Sequence, residues 1–354
     1  MALAAGVTVG SRRQLVASLN PLRCSGTALP PQLLLAAKMI VLGLLLKGYI
    51  PRIPGIFIPM WPVLDLLPRP ELAQPLMQAT VAISAVMLLC NRWARTCAFL
   101  IGATYILATL ASRGFYSNGR FFCSSILMLI GLYGGEHSIW PVRWQFVILY
   151  FGSAVNKITQ ADWRSGWYFE NWMIGILERD WYAALAAALP PMALSQFFCW
   201  ATITIELSIA TGLAVPRLYR LGIWLALLFH FSAVALTQMM YGIFVISISF
   251  SLLAFVPWPG AGEIKIERAP RGGLIHFIVA LAKQLDFDRV LDGPSGAADD
   301  VGIYEEASLE VQWRDRIYTG SAAVTRIALS LPVTYFVAAL GLILPSLYLR
   351  WLGH

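Results

Sequence analysis

Between Leu33 and Pro257 the chain passes through eight apolar stretches: Leu33 to Ile50, Leu76 to Leu89, Thr96 to Ala111, Phe121 to Gly135, Phe146 to Asn156, Gln196 to Val215, Leu221 to Leu236 and Ile243 to Val256. A helix of about 20 apolar residues crosses roughly 30 Å of hydrocarbon, and in lipid only a helix or a closed barrel satisfies its own backbone. With 58% hydrophobic residues, 13% charged residues and a mean hydropathy of +0.67, the chain is too apolar for a water-soluble domain. The sequence predicts a polytopic α-helical membrane protein of about eight transmembrane helices, with the lipid bilayer as its first partner. Several stretches are short, which implies tilted or partly buried helices.

The rest of the composition excludes other classes. Five cysteines at 24, 90, 97, 123 and 199 show no metal-ligand spacing, so no metal centre and no disulfide framework is expected. The net charge of +7 comes without a ladder of aromatic and basic residues, so nucleic acid is not an expected partner. Residues 1–30 carry Arg12, Arg13 and Arg23 without the compact apolar core of a signal peptide, and read as a flexible cytoplasmic start. Lys and Arg divide almost evenly between the two sets of loops; eight spans with both ends cytoplasmic fit slightly better.

Residues 31–258 therefore read as a transmembrane domain. Within it, residues 158–193 are dense in Trp, Tyr and charge without a long apolar run, which suits short helices at the membrane interface, roofing a cavity. After Pro257-Trp258-Pro259-Gly260 the composition turns acidic and polar, and residues 259–354 read as a small C-terminal α/β domain. Its expected elements are a strand at Glu263 to Ile266, a helix at Leu274 to Leu285, a strand at Phe287 to Leu291 and an edge strand at Leu309 to Trp313. The segment from Ala322 to Trp351 is either a ninth span or amphipathic helices docked on that domain. Pro332, Pro345 and Arg326 favour docking.

Five ionisable residues interrupt the apolar stretches: Lys38, Lys47, Lys157, Glu206 and His230. A charge near the bilayer centre costs at least about 2.5–3.5 kcal/mol, so such groups point to a site or a partner. Glu206 and His230 each lie twelve residues from Leu218 in the turn between two spans, hence at one depth of a helical hairpin. They are expected either to form an acid–imidazole couple or to make a structural interhelical hydrogen bond. Lys157, on one helical face with Tyr150, is either a general base at the mouth of a dry cavity or a snorkelling anchor. Lys38 and Lys47 read as snorkelling anchors.

The run Tyr150-Phe151-Gly152-Ser153-Ala154-Val155-Asn156-Lys157-Ile158, followed by Asp162-Trp163, Gly166, Arg179-Asp180-Trp181, Glu206, Phe229-His230, Gly242 and Phe244, resembles the membrane domain of vitamin K-dependent gamma-carboxylases and the related bacterial HTTM proteins. The resemblance implies that Lys157 stands at the lysine that deprotonates the reduced quinone, with Glu206 and His230 in the same core. It implies a quinone or lipid ligand and a bacterial cytoplasmic (inner) membrane setting. One position departs: Ser117-Asn118-Gly119-Arg120 stands where the carboxylases have Asn-Asn-His, so Gly119 replaces the histidine and cannot share a proton through a side chain.

From Glu263 onward, including Leu285-Asp286-Phe287-Asp288-Arg289, Tyr318-Thr319-Gly320 and the close from Pro332 to Trp351, the tail is similar to the DCC-type thiol-disulfide oxidoreductase-like domain. The redox cysteines of that family are replaced by Arg268-Ala269-Pro270-Arg271-Gly272-Gly273, so the resemblance implies a degenerate thioredoxin-like module without disulfide exchange. Together these readings give a non-catalytic membrane scaffold or accessory subunit of a larger membrane complex. The alternatives are a membrane enzyme using Lys157 as base on a lipophilic or quinone-like substrate, with Glu206 and His230 assisting, and a role in secreted-peptide maturation or immunity.

Overall fold

The computed structural model describes residues 22–24, 26–132, 139–237, 242–253, 255, 264–269, 273–286, 288, 290–292 and 308–335. The expectations for residues 1–21, the polar run 293–300, the boundary at 257–260 and the segment 336–351 lie outside the described residues. The described chain is mostly helical and forms two compact units, residues 1–137 with 246–354 and residues 138–245. The membrane stretch is thus shared between the units, and the tail groups with the first helices.

The first unit opens with α1 (Pro31–Leu46), where Pro31 sits at the start of the helix and its missing N–H costs nothing. α2 (Ala73–Leu89), α3 (Ala94–Ala111) and α4 (Asn118–Leu132) follow. The segment between α1 and α2 carries short 3-10 turns at Pro62–Leu66 and Pro70–Leu72, and folds back on the end of α3. There Phe57 N–H donates to the Ala111 carbonyl at 2.9 Å, and Met60 N–H to that of Leu110 at 2.8 Å.

The second unit holds α5 (Trp140–Thr159), the short α6 (Ala161–Ser165) and α7 (Trp167–Glu170), a π-helical turn at Asn171–Ile176, α8 (Asp180–Ala187), α9 (Ala193–Ala214) and α10 (Tyr219–Thr237). α9 and α10 form the expected hairpin. Their backbones meet at Gly212 and Gly222, where a Cβ on Gly212 would stand 2.8 Å from the Gly222 Cα. At the same end Arg143 of α5 donates to the terminal carbonyls of α9, Leu213 and Ala214, which satisfies acceptors that a helix end leaves open.

α11 (Gly242–Leu253) leads into the tail, where β1 (Ile264–Arg268), α12 (Gly273–Leu285), β2 (Leu291–Asp292), β3 (Glu310–Trp313), β4 (Arg316–Thr319) and α13 (Gly320–Ser330) build a sheet of order β2-β1-β3-β4. β1 and β2 run parallel; β3 pairs antiparallel with both β1 and β4, Ile264 opposite Trp313 and Val311 opposite Tyr318. Ile264, Ile266, Val311 and Trp313 meet Val279 of α12 and Ala323 and Ile327 of α13 in one core. Leu309 to Trp313 was expected at an edge. It is interior, because the turn at Arg314, in the left-handed region at φ 54°, returns the chain as β4 to take the edge. α13 packs on this sheet through Ala323 and Ile327.

Each of the eight apolar stretches contains a helix, but among the described residues four helices are long and apolar enough to cross a membrane: Pro70–Leu89, Ala94–Ala111, Ala193–Ala214 and Tyr219–Leu236. α1 and α4 are apolar but shorter, and α5 carries Arg143, Gln145, Asn156 and Lys157. These helices place the chain in a lipid environment.

Lys38 is not a snorkelling anchor. It is 1% exposed, and its ammonium donates to the Arg23 carbonyl at 2.6 Å. The Asn91 amide donates to the same carbonyl at 3.1 Å, and the Asp288 carboxylate, from the tail, accepts the Cys24 N–H at 2.9 Å. A short N-terminal strap thus reaches α1, the α2–α3 turn and the tail within one unit, and burial pushes the Cys24 thiol up to about 12. Lys47 lies exposed at the end of α1.

Candidate functional site

α5 repeats polar residues along one face: Tyr150, Ser153 and Lys157 fall at spacings of three and four, a single helical stripe. The stripe faces α9 and α10 within the second unit. The Lys157 ammonium donates to Ser153 Oγ at 2.6 Å and to Glu206 Oε1 and Oε2 at 2.7 and 2.8 Å. Ser153 in turn donates to Glu206 Oε1 at 3.1 Å. Three acceptor atoms therefore match the three N–H donors of the ammonium, and the Trp163 ring of α6 covers it at 5.0 Å from the ring centroid. Lys157 and Glu206 side chains retain 14% and 7% of their exposure, so this is a nearly dry ion pair.

His230, on α10, meets the third member of the stripe. Its Nε2 lies 2.7 Å from the Tyr150 hydroxyl, with the phenol as donor if the ring carries its proton on Nδ1 and as acceptor if on Nε2. Phe229 and Phe244 stand edge-on to the imidazole at 5.2 and 5.4 Å between centroids. Both Tyr150 and His230 are buried.

The expected Glu206–His230 couple is thus replaced by two separate pairs, Lys157–Glu206 and Tyr150–His230. Equal distance from the hairpin turn fixes depth but not the direction in which each side chain points. α5 supplies a full positive charge to Glu206, which a carboxylate in low dielectric takes in preference to a neutral ring. Lys157 reaches its acid across helices rather than the headgroups. Ser153 and Trp163 complete the ion pair; the spacing of four from Ser153 to Lys157 is the signal that finds the first.

Comparison with protein-family models, curated proteins and solved structures finds no match.

The motif that runs on from Lys157 has local structural reasons. Gly166 adopts φ +84°, and a Cβ there would stand 2.7 Å from the Gln196 amide nitrogen, so the roof turn rests directly on the start of α9. Arg179 starts α8, its carbonyl accepting the Tyr182 and Ala183 N–H groups. Phe169, Met173, Tyr182, Leu194 and Cys199 form a small core beneath the short helices, and Tyr182 donates to Glu170 at 2.7 Å. A cavity of about 270 Å³ lies among the short helices, lined by Glu170, Ala183, Ala186, Pro190, Met192 and Leu194 among others, and not beside Lys157 where one was expected. Lys157, Glu206 and His230 are not in its wall. Gly119 lies in the first turn of α4, in the other unit. Among the described residues no cluster of His, Cys, Asp or Glu could hold a metal ion.

Proposed function

We propose that this chain is a membrane scaffold or accessory subunit of a larger membrane complex, built on a helical core of the HTTM and carboxylase-like kind. In this reading it crosses a bacterial cytoplasmic membrane eight times, with its tail in the cytoplasm. The observation that carries the proposal is the closure of the polar stripe. A base must present a lone pair to its substrate, whereas the Lys157 nitrogen has an acceptor for each N–H and a ring above it. Such bonds hold α5 to α9 and α10 as helix glue. The parallel β1–β2 unit followed by a β-hairpin and a helix supports the thioredoxin-like reading of the tail, and without thiols that module docks rather than exchanges disulfides.

Gentle extraction from the native membrane tests the proposal: a scaffold co-purifies with other membrane proteins at fixed stoichiometry, and K157M/E206M, which removes the charges as a pair, still does so. Recovery of the lone, monodisperse protein overturns it.

A second reading, an enzyme acting on a quinone-like or lipophilic substrate through Lys157, is favoured by the Tyr150–His230 pair, a buried phenol–imidazole couple on the same face of α5. It requires that the purified protein bind or turn over quinols and that K157A abolish this.

A further inference from the structure

The closed stripe of the second unit has an open counterpart in the first, at the end of the helices where α1 finishes, α3 ends and α4 begins. The Arg120 guanidinium lies 4.2 Å from the Phe115 ring centroid and 5.3 Å from that of Tyr49; Arg52 approaches the same Tyr49 ring at 5.8 Å. Among the described residues neither arginine forms an ion pair with a carboxylate. Two like charges, Arg120 half-buried and Arg52 exposed, therefore approach one aromatic ring with no carboxylate paired to either among the described residues, which leaves a local excess of positive charge open to an anion.

Two buried polar atoms at the same place have no hydrogen-bond partner among the described residues. One is Nε of Arg120; the other is the hydroxyl of Tyr105, a residue 1% exposed whose ring stacks on Phe115 at 6.2 Å. Tyr105 and the Arg120 guanidinium thus lie against the same Phe115 ring. A buried hydroxyl with no acceptor or donor opposite is costly, and a native structure that keeps one points to a group that completes it. The start of α4 adds positive potential, although its Arg120 N–H is already capped by Ser117 Oγ at 3.3 Å.

We propose that Arg52, Arg120, Tyr49 and Tyr105 bind a phosphate group, carried by an anionic lipid headgroup or free in solution. A phosphate offers several acceptor oxygens to planar guanidinium forks and to hydroxyls, and its negative charge answers the paired arginines. The adjoining segment, pinned to the end of α3 through Phe57 and Met60, exposes Phe57, Ile58, Met60 and Trp61. An exposed apolar and aromatic segment beside guanidinium groups is the composition of headgroup depth.

The full chain in maltoside micelles, which contain no phosphate, tests this. Phosphatidylglycerol, inorganic phosphate and diacylglycerol of the same acyl chains are added separately, and retention in native mass spectra and the unfolding midpoint are read. Binding of phosphatidylglycerol but not inorganic phosphate supports the site with a lipid as source; binding of inorganic phosphate, or its competition with the lipid, supports it with a soluble source. R120Q is expected to weaken whichever binds by about tenfold, and Y105F, which removes only the orphan hydroxyl, by about fivefold. R52Q and Y105F carry the test if R120Q fails to fold. Equal binding of diacylglycerol, no binding of either phosphate probe, or binding unchanged in folded R52Q and Y105F overturns the proposal.

Discussion

Two clusters of cations, one in each compact unit, handle charge in opposite ways. Lys157 in the second unit has a carboxylate, a hydroxyl and a ring around its nitrogen, and each N–H is answered within 2.8 Å. Arg52 and Arg120 in the first unit share aromatic faces and have no carboxylate among the described residues. A cation answered inside the chain ties helices together and asks nothing of the surroundings. A cation left unanswered beside an orphan hydroxyl awaits something from outside. The contrast separates structural charge from binding charge on satisfaction rather than on burial, since the more buried ion pair is the one with nothing left to offer.

The largest effect expected from this contrast lies in the closed cluster. Removing one member strands a buried charge, so K157A and E206A should each cost about 3 kcal/mol of unfolding free energy in maltoside micelles. Replacing both by methionine, in K157M/E206M, removes charge and partner together and should return to within about 1 kcal/mol of the parent. Single and double variants of equal stability would break the distinction, because the pair would then be solvated rather than closed.

The strap at Arg23 and Cys24 is an intermediate case, a carboxylate answering backbone rather than a cation at close range: Asp288 takes the Cys24 N–H at 2.9 and 3.1 Å, with the Arg23 guanidinium at 3.8 Å. The Cys24 thiol is fully buried and held at about 12, so at pH 8 it is protonated and shielded from alkylation. D288A is expected to cost about 2 kcal/mol and to raise maleimide labelling at Cys24 at least about tenfold. Labelling that stays at the parent rate, measured by peptide mass spectrometry, would show that the strap is held by something other than this carboxylate.

Between the two clusters in size stands Tyr150. Y150F leaves the ring in place and deprives His230 of its hydrogen-bond partner on α5, a loss of about 1 kcal/mol for a buried neutral hydrogen bond. A scaffold should retain its partners after this change. Loss of quinol binding in a folded Y150F protein would instead sharpen the case for chemistry on this face.

How far these features were legible in the sequence follows the same division. Helix positions were readable because apolar composition and length act locally: the hairpin of α9 and α10, the strand at Ile264 and the helix at Gly273–Leu285 all fall where hydropathy and periodicity put them. Pairings were not. Glu206 and His230 share a depth, yet which partner each takes depends on the rotation of α9 and α10 against α5, a tertiary quantity that no spacing along one helix encodes. Lys38 fails the snorkelling expectation for a similar reason: its acceptor is a carbonyl fifteen residues earlier, brought over by a strap whose other anchor, Asp288, lies in the tail. β4 went unread because a four-residue strand entered through a charged turn carries almost no periodic signal, and its absence made β3 look like an edge. The Arg52 and Arg120 cluster was not legible, since nothing in the sequence puts Tyr49, Tyr105 and Phe115 beside them.

The smallest expected effect is the most telling for the open cluster. In phosphate-free micelles R52Q removes an exposed charge that lies over the Tyr49 ring, shares that ring with Arg120 and has no carboxylate partner among the described residues, so it should leave the unfolding free energy within about 0.5 kcal/mol of the parent, on the stabilising side because like-charge repulsion is relieved. Added phosphatidylglycerol should then stabilise the parent chain and not R52Q, so that the order of the two midpoints reverses when the lipid is present. A closed cluster cannot behave this way, because its internal partner is there in every condition. If R52Q instead costs as much as K157A in bare micelles, Arg52 has an internal partner after all and the open cluster is a second closed one.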